Sequence, residues 1–154
     1  MGGNAAAVAV AGAPSLRARS ADSALAGLRV VLVASARTFE GHRDLLEIKG
    51  AEAHVLSVSD AIVRLEAAPI DVLVIGDDVA LEDLARLVVI VRTHGYGSRV
   101  AVLAFGARPE ASGAEGWSSA GVEAWLDPRT DLRMFLQIVA REHRRRAILA
   151  PLAP

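Results

Sequence analysis

Two adjacent carboxylates, Asp77 and Asp78, follow a run of four apolar residues, Val72-Leu73-Val74-Ile75, by way of Gly76. Acids placed just past a strand can hold Mg²⁺ through oxygen or accept a phosphoryl group. They are equally at home in turns, where their side chains bond to nearby backbone N–H groups. Asp127, before Pro128, is a third loop acid, and Arg37 and Arg108 are candidate partners for it. The four histidines, His42, His54, His94 and His143, share no i, i+4 spacing, so packing or surface roles are favoured over a metal site. The chain has 0 cysteines, which removes disulfides, thiolate metal sites and a cysteine nucleophile. The serines lie in loops and tails and suggest no Ser-His-Asp grouping. Gly95-Tyr96-Gly97 follows a helical pattern and precedes a strand, the wrong order for a phosphate loop. Gly106-Ala107-Arg108-Pro109 does follow a strand but lacks the glycine-rich fingerprint.

The elements that must position these residues are built from aliphatic side chains. Of the 154 residues, 53% are hydrophobic and only 4% aromatic, enough for one domain with a substantial core. A net charge of -1 gives no general pull toward nucleic acid or an anionic membrane. No apolar run reaches the roughly 18 residues of a membrane span. The apolar stretch from Ala5 to Ala13 lacks the basic residues that open a secretory signal. The expected location is therefore the cytoplasm, and the Ala/Arg/Val-rich, Lys-poor usage suggests a GC-rich bacterial genome.

Residues 1–26 are rich in Gly, Ala and Ser without a period, which predicts a flexible leader. Residues 27–146 are expected to form the domain, and 147–154 a tail. Strands are predicted over 29–34, 53–58, 71–75, 100–105 and 122–126. Helices are predicted over 39–49, 61–67, 81–93 and 131–146, with Gly50 closing the first and Ser59 or Asp60 capping the second. The weakly patterned 106–119 stretch predicts a short or irregular helix. Continuous apolar runs such as Val31-Leu32-Val33 and 72–75 suit strands covered on both faces. Strands alternating with helices imply a parallel α/β sheet with helices on both sides, and right-handed crossovers favour the flavodoxin-like order 2-1-3-4-5.

Several segments resemble a response-regulator receiver domain over about residues 28–146. They are the Val31-Leu32-Val33-Ala34 strand, the Leu45-Leu46 helix closed by Gly50, the Pro69–Ile75 strand, and Gly121-Val122-Glu123-Ala124-Trp125-Leu126-Asp127-Pro128 before a helix opening at Asp131-Leu132. The last resembles the family's Gly-Ala-x-x-Tyr-(Leu/Ile)-x-Lys-Pro close. The resemblance implies a cis bond at Asp127-Pro128 and a phosphorylation site at the carboxyl ends of the strands. That site needs an acidic pair for Mg²⁺, an acceptor aspartate, a hydroxyl and a lysine. Here the acidic pair is replaced by Ser35-Ala36, the acceptor by Gly76, the hydroxyl by Ala104 and the lysine by Asp127. With these four departures the resemblance implies a degenerate, non-catalytic pseudo-receiver that uses no metal or cofactor.

Its expected role is phosphorylation-independent binding of a protein partner or of a second copy. Receivers commonly associate through the face made by the fourth helix, fifth strand and fifth helix, which here carries Trp125, Arg129, Arg133 and Arg141. Trp125 stands where the family has an aromatic switch and is expected to anchor a partner. Arg141, Arg144, Arg145 and Arg146 are expected to be solvated cations that suit the helix dipole. A different class, small-molecule sensing, is the alternative. Glu40-Gly41-His42 loosely resembles the Asp-x-His-x-x-Gly motif of cobalamin-binding domains, although Glu40 replaces the Asp and Arg43-Asp44-Leu45 supplies no Gly.

Overall fold

The computed structural model describes residues 24–34, 38–106 and 111–149. Five strands form one parallel sheet in the order β2-β1-β3-β4-β5: β1 Arg29–Val33, β2 Glu52–Leu56, β3 Val72–Gly76, β4 Ala101–Phe105 and β5 Ala124–Leu126. The helices between and after them are α1 Glu40–Ile48, α2 Val58–Ala67, α3 Leu81–Thr93, α4 Ala111–Ala120 and α5 Leu132–Leu149. This is the flavodoxin-like α/β architecture that the alternating pattern predicts.

Strand side chains alternate, so each strand feeds two cores. Val30 and Leu32 of β1, Val72 and Val74 of β3, and Leu103 and Phe105 of β4 face α1 and α5. Val31 and Val33, Leu73 and Ile75, and Val102 and Ala104 face α2, α3 and α4. All of β3 and β4 is buried, which is why these strands read as unbroken apolar runs.

Several boundaries differ from the sequence reading, each for a local reason. Helix α2 starts at Val58 because Ser57, not Ser59 or Asp60, is the cap; its side chain accepts the Asp60 N–H at 3.2 Å. Strand β2 therefore ends at Leu56. Strand β5 starts only at Ala124. Gly121 turns the chain at φ 120°, and the Val122 N–H bonds back to Trp117 O at 3.1 Å, closing α4 rather than joining the sheet. Helix α4 is ten residues long and unbroken, where a short or irregular helix is expected from its weak pattern. Buried Trp117 is its anchor.

Helix α5 runs three residues past Arg146, to Leu149. Arg146 is not a solvated end cation: its Nε donates to Ser98 O at 2.7 Å and its Nη1 lies 3.6 Å from Glu123 Oε2. Arg92 joins the same carboxylate at 3.3 Å, so α3, α5 and the approach to β5 are tied together. At the other end of the chain, Leu25 is 4% exposed and belongs to the α1/α5 core, so that core begins inside the stretch assigned to the leader. Residues 1–23 and 150–154, which hold the rest of the leader and most of the tail, lie outside the described residues.

Tyr96 supplies a further cross-tie: its hydroxyl donates to Leu65 O at 2.6 Å, linking the turn after α3 to the last part of α2. Tyr96→Phe removes that bond and leaves a carbonyl without its donor. The expected cost is about 1 kcal/mol, read as a lower urea midpoint with unchanged m-value. An unchanged midpoint would show that water replaces the hydroxyl without loss.

Candidate functional site at the carboxyl rim of the sheet

Strands β1, β3, β4 and β5 all end on one rim, the edge where open α/β sheets collect ligands. The residues there are Ala34 after β1, Gly76 at the end of β3, Phe105 and Gly106 at the end of β4, and Asp127 after β5. Ser35, Ala36 and Arg37, and likewise Arg108, lie outside the described residues. Register pairs Ile75 with Ala104 and Gly76 with Phe105. The residue beside Gly76 is therefore Phe105, while Ala104 is fully buried against the α2–α4 side; neither has a hydroxyl.

Gly76 is closely covered. A Cβ built there would lie 2.8 Å from Asp78 Oδ1 and 3.0 Å from Ala34 Cβ. Asp77 lies along the neighbouring strand end: its N–H donates to Phe105 O at 2.8 Å, extending the β3/β4 ladder by one step. Its carboxyl carbon would be 2.2 Å from a Cβ on Gly106. Gly106 has φ 138°, a conformation glycine adopts without strain, and its missing side chain is what admits Asp77. The two aspartates thus fold back over the ends of β3 and β4, and both make further interactions. Among the described residues, no three acids or histidines gather as a metal site.

Arg37 and Arg108, the partners expected for Asp127, lie outside the described residues. Among the described residues Asp127 pairs with Arg129, two residues on: Oδ2 accepts from Nη2 at 2.9 Å, and Oδ1 from the backbone N–H at 2.8 Å. The Arg129 guanidinium, through these hydrogen bonds, holds the Asp127 carboxyl below its usual range. The Thr130 N–H returns to Asp127 O at 2.9 Å, so 127–130 is a β-turn with Pro128 at its favoured second position. The Asp127-Pro128 bond is trans, contrary to what the resemblance implies. Asp131 then caps α5 by accepting the Met134 N–H at 2.8 Å.

Trp125, expected to anchor a partner, is partly exposed. It packs on Trp117 with ring centroids 5.1 Å apart, and its indole nitrogen is buried without a hydrogen-bond partner among the described residues. Its ring packs against the core on the α2–α4 side of the sheet. Arg129, Arg133 and Arg141 are exposed, and Arg141 donates to Glu142 Oε2 at 3.0 Å. Arg145 reaches the same buried carboxylate at 3.6 Å, so two of the four helix-end arginines are paired on α5 itself.

The histidines scatter as their spacing predicts. His54 is exposed beside Glu52, and His94 stacks on Tyr96 at 5.4 Å. His42 is the exception: its ring meets Phe39, Phe105 and Phe135 at centroid distances of 5.8, 4.9 and 4.6 Å. These are all 3 phenylalanines of the chain. Its Nδ1 is buried with no partner among the described residues, and burial holds its pKa below the ordinary histidine value. The Glu40-Gly41-His42 stretch thus places its imidazole inside an aromatic cluster. Sequence order does not reveal this cluster, because its members come from α1, β4 and α5.

No protein-family model and no curated protein matches the sequence. Solved structures do match in shape. A two-component response regulator from Clostridium difficile superposes with a TM-score of 0.65 at 11% identity, covering 77% of this chain and 97% of that one. A CheY-like receiver domain from Methanospirillum hungatei gives 0.66 at 12% identity, over 79% and 98%. An orphan response regulator of H. pylori gives 0.63 at 20% identity, over 76% and 97%. At these identities the likeness concerns architecture: the chain has the fold of response-regulator receiver domains.

Proposed function

We propose that this chain is a receiver-like regulatory domain, residues 27–146, that works as a protein-interaction or dimerisation module without being phosphorylated and without catalysing a reaction. The observation that carries this reading is the covered backbone at Gly76. Where the receiver fold would offer an acceptor aspartate, there is no side chain, and Asp78 and Ala34 crowd the space one would need. The neighbouring positions support the same reading: Ser35-Ala36 replaces the acidic pair, and Asp127, committed to Arg129, replaces the lysine. A phosphoryl acceptor needs a divalent cation and a cation opposite to offset the gathering charge, and these residues do not fit such a metal. Binding then falls to the surface of α4, β5 and α5. Met134 is 46% exposed there and is flanked in sequence by Arg129, Arg133 and Arg141.

Incubation with acetyl phosphate and Mg²⁺ is expected to give no added phosphoryl mass in the intact protein and no change in its sedimentation profile. Stoichiometric modification at Asp77 or Asp78 would overturn the proposal.

A further inference from the structure

A groove of about 480 Å³ opens at the opposite edge of the sheet, where the strands begin. The turn at 24–28 and the middle of α5, at Ala140, His143 and Arg144, line it together with Arg29 and Asp71. Asp71 is the only acid among these lining residues, and both its oxygens are taken. Oδ2 accepts the Arg29 backbone N–H at 2.8 Å and Nε at 3.0 Å, and Oδ1 accepts Nη2 at 3.2 Å. Burial pushes this carboxyl up, but the bonds from Arg29 outweigh that and hold it below its usual range, so it stays charged. The pairing fixes the Arg29 guanidinium in place and does not use its Nη1.

Arg144 differs from its neighbours. Arg141 and Arg145 reach Glu142 and Arg146 reaches Glu123, whereas Arg144 meets no carboxylate among the described residues. His143 adds a buried Nδ1 that has no hydrogen-bond partner there either. The groove therefore sets two guanidiniums and an imidazole against one committed carboxylate.

We propose that this groove binds a small phosphate-bearing molecule, its phosphate held by Arg29, Arg144 and His143. Three donor groups suit three terminal oxygens better than the two of a carboxylate, and guanidinium forks match phosphate geometry. Ala24, Leu28 and Ala140 offer an apolar wall for the rest of the ligand, and the volume falls within the range of small-molecule sites. The site lies away from the carboxyl rim, so it does not depend on the interaction-module reading.

The test uses the full chain, with inorganic phosphate as probe and sodium chloride at matched ionic strength as control, followed by amide NMR shifts. Saturable shifts centred on Gly27, Arg29 and residues 140–144 are expected with phosphate alone. Arg144→Gln should weaken the apparent affinity about tenfold, the size of one charge-assisted hydrogen bond. Arg86→Gln, the same charge change on the exposed side of α3, should leave affinity within about twofold. Shifts that fail to saturate, that chloride reproduces, or that Arg144→Gln and Arg86→Gln alter equally would overturn the proposal. Acetate binding as well as phosphate would overturn the choice of ligand class.

Discussion

Gly97→Ala is expected to destabilise the protein by about 3 kcal/mol or more, while Gly95→Ala, two residues away, is expected to be neutral or mildly stabilising. Gly97 opens the short 3₁₀ turn Gly97–Arg99 between α3 and β4 and is buried. A Cβ there would lie 1.9 Å from Val91 O, 2.8 Å from Val91 C and 2.9 Å from Arg92 Cα. These are backbone atoms of the last turn of α3, which cannot swing aside like a side chain. Relief requires that turn to move, and it carries buried Val91 and the Arg92–Glu123 pair. Overpacking of this kind belongs to the upper range of single-substitution effects. At Gly95 nothing stands within 4 Å of an added Cβ, so alanine mainly restricts the unfolded chain. Urea unfolding of the two variants beside the parent measures both effects. Equal midpoints for the pair would sink the argument.

Phe135→Ala is the second large effect, expected at about 3–5 kcal/mol. Phe135 is 1% exposed, contacts Phe105 and His42, and holds the start of α5 on the sheet. Its removal should also change how stability depends on pH. Burial holds the His42 pKa of the folded protein below the ordinary value. On acidification the unfolded chain takes up a proton near pH 6.5 before the folded protein does. The unfolded state then binds more protons, so this contribution is intact above about pH 6.5 and is lost progressively as pH falls below it. Opening the cluster lets water reach the imidazole, which should flatten that slope. Thermal or urea unfolding between pH 7.5 and 5 measures it, with His42→Phe expected to remove the same slope. A slope that survives His42→Phe would assign it to other groups.

The sheet was legible because β1, β3 and β4 are apolar on both faces, and runs such as Val72-Leu73-Val74-Ile75 have few other uses. Legibility failed where a choice depended on backbone geometry or on distant partners. Ser57, Ser59 and Asp60 can all cap a helix, and only the turn of the chain selects Ser57. Leu25 is one apolar residue among small ones, and its burial follows from how the 24–28 turn lies on the α1/α5 core. The contact of Trp125 with Trp117 could not be read either, because it spans a helix end and a glycine turn. The Asp127–Arg129 pair was the exception that local sequence could have supplied, since an acid, a proline and an arginine in this order suit a turn. The groove at the sheet's other edge joins Arg29, Asp71 and His143, which come from three separate elements, and no spacing announces it.

The packing over Gly76 also constrains anyone who would graft phosphate chemistry onto this scaffold. Writing an aspartate at position 76 alone crowds the corner, since the Asp78 carboxylate must swing aside and the methyl of Ala34 must give way slightly. Two adjacent acids would then compete for one corner, each raising the other's proton affinity. Reinstating the reaction is thus a coordinated redesign of several positions, because the cation-holding residues are missing as well as the acceptor.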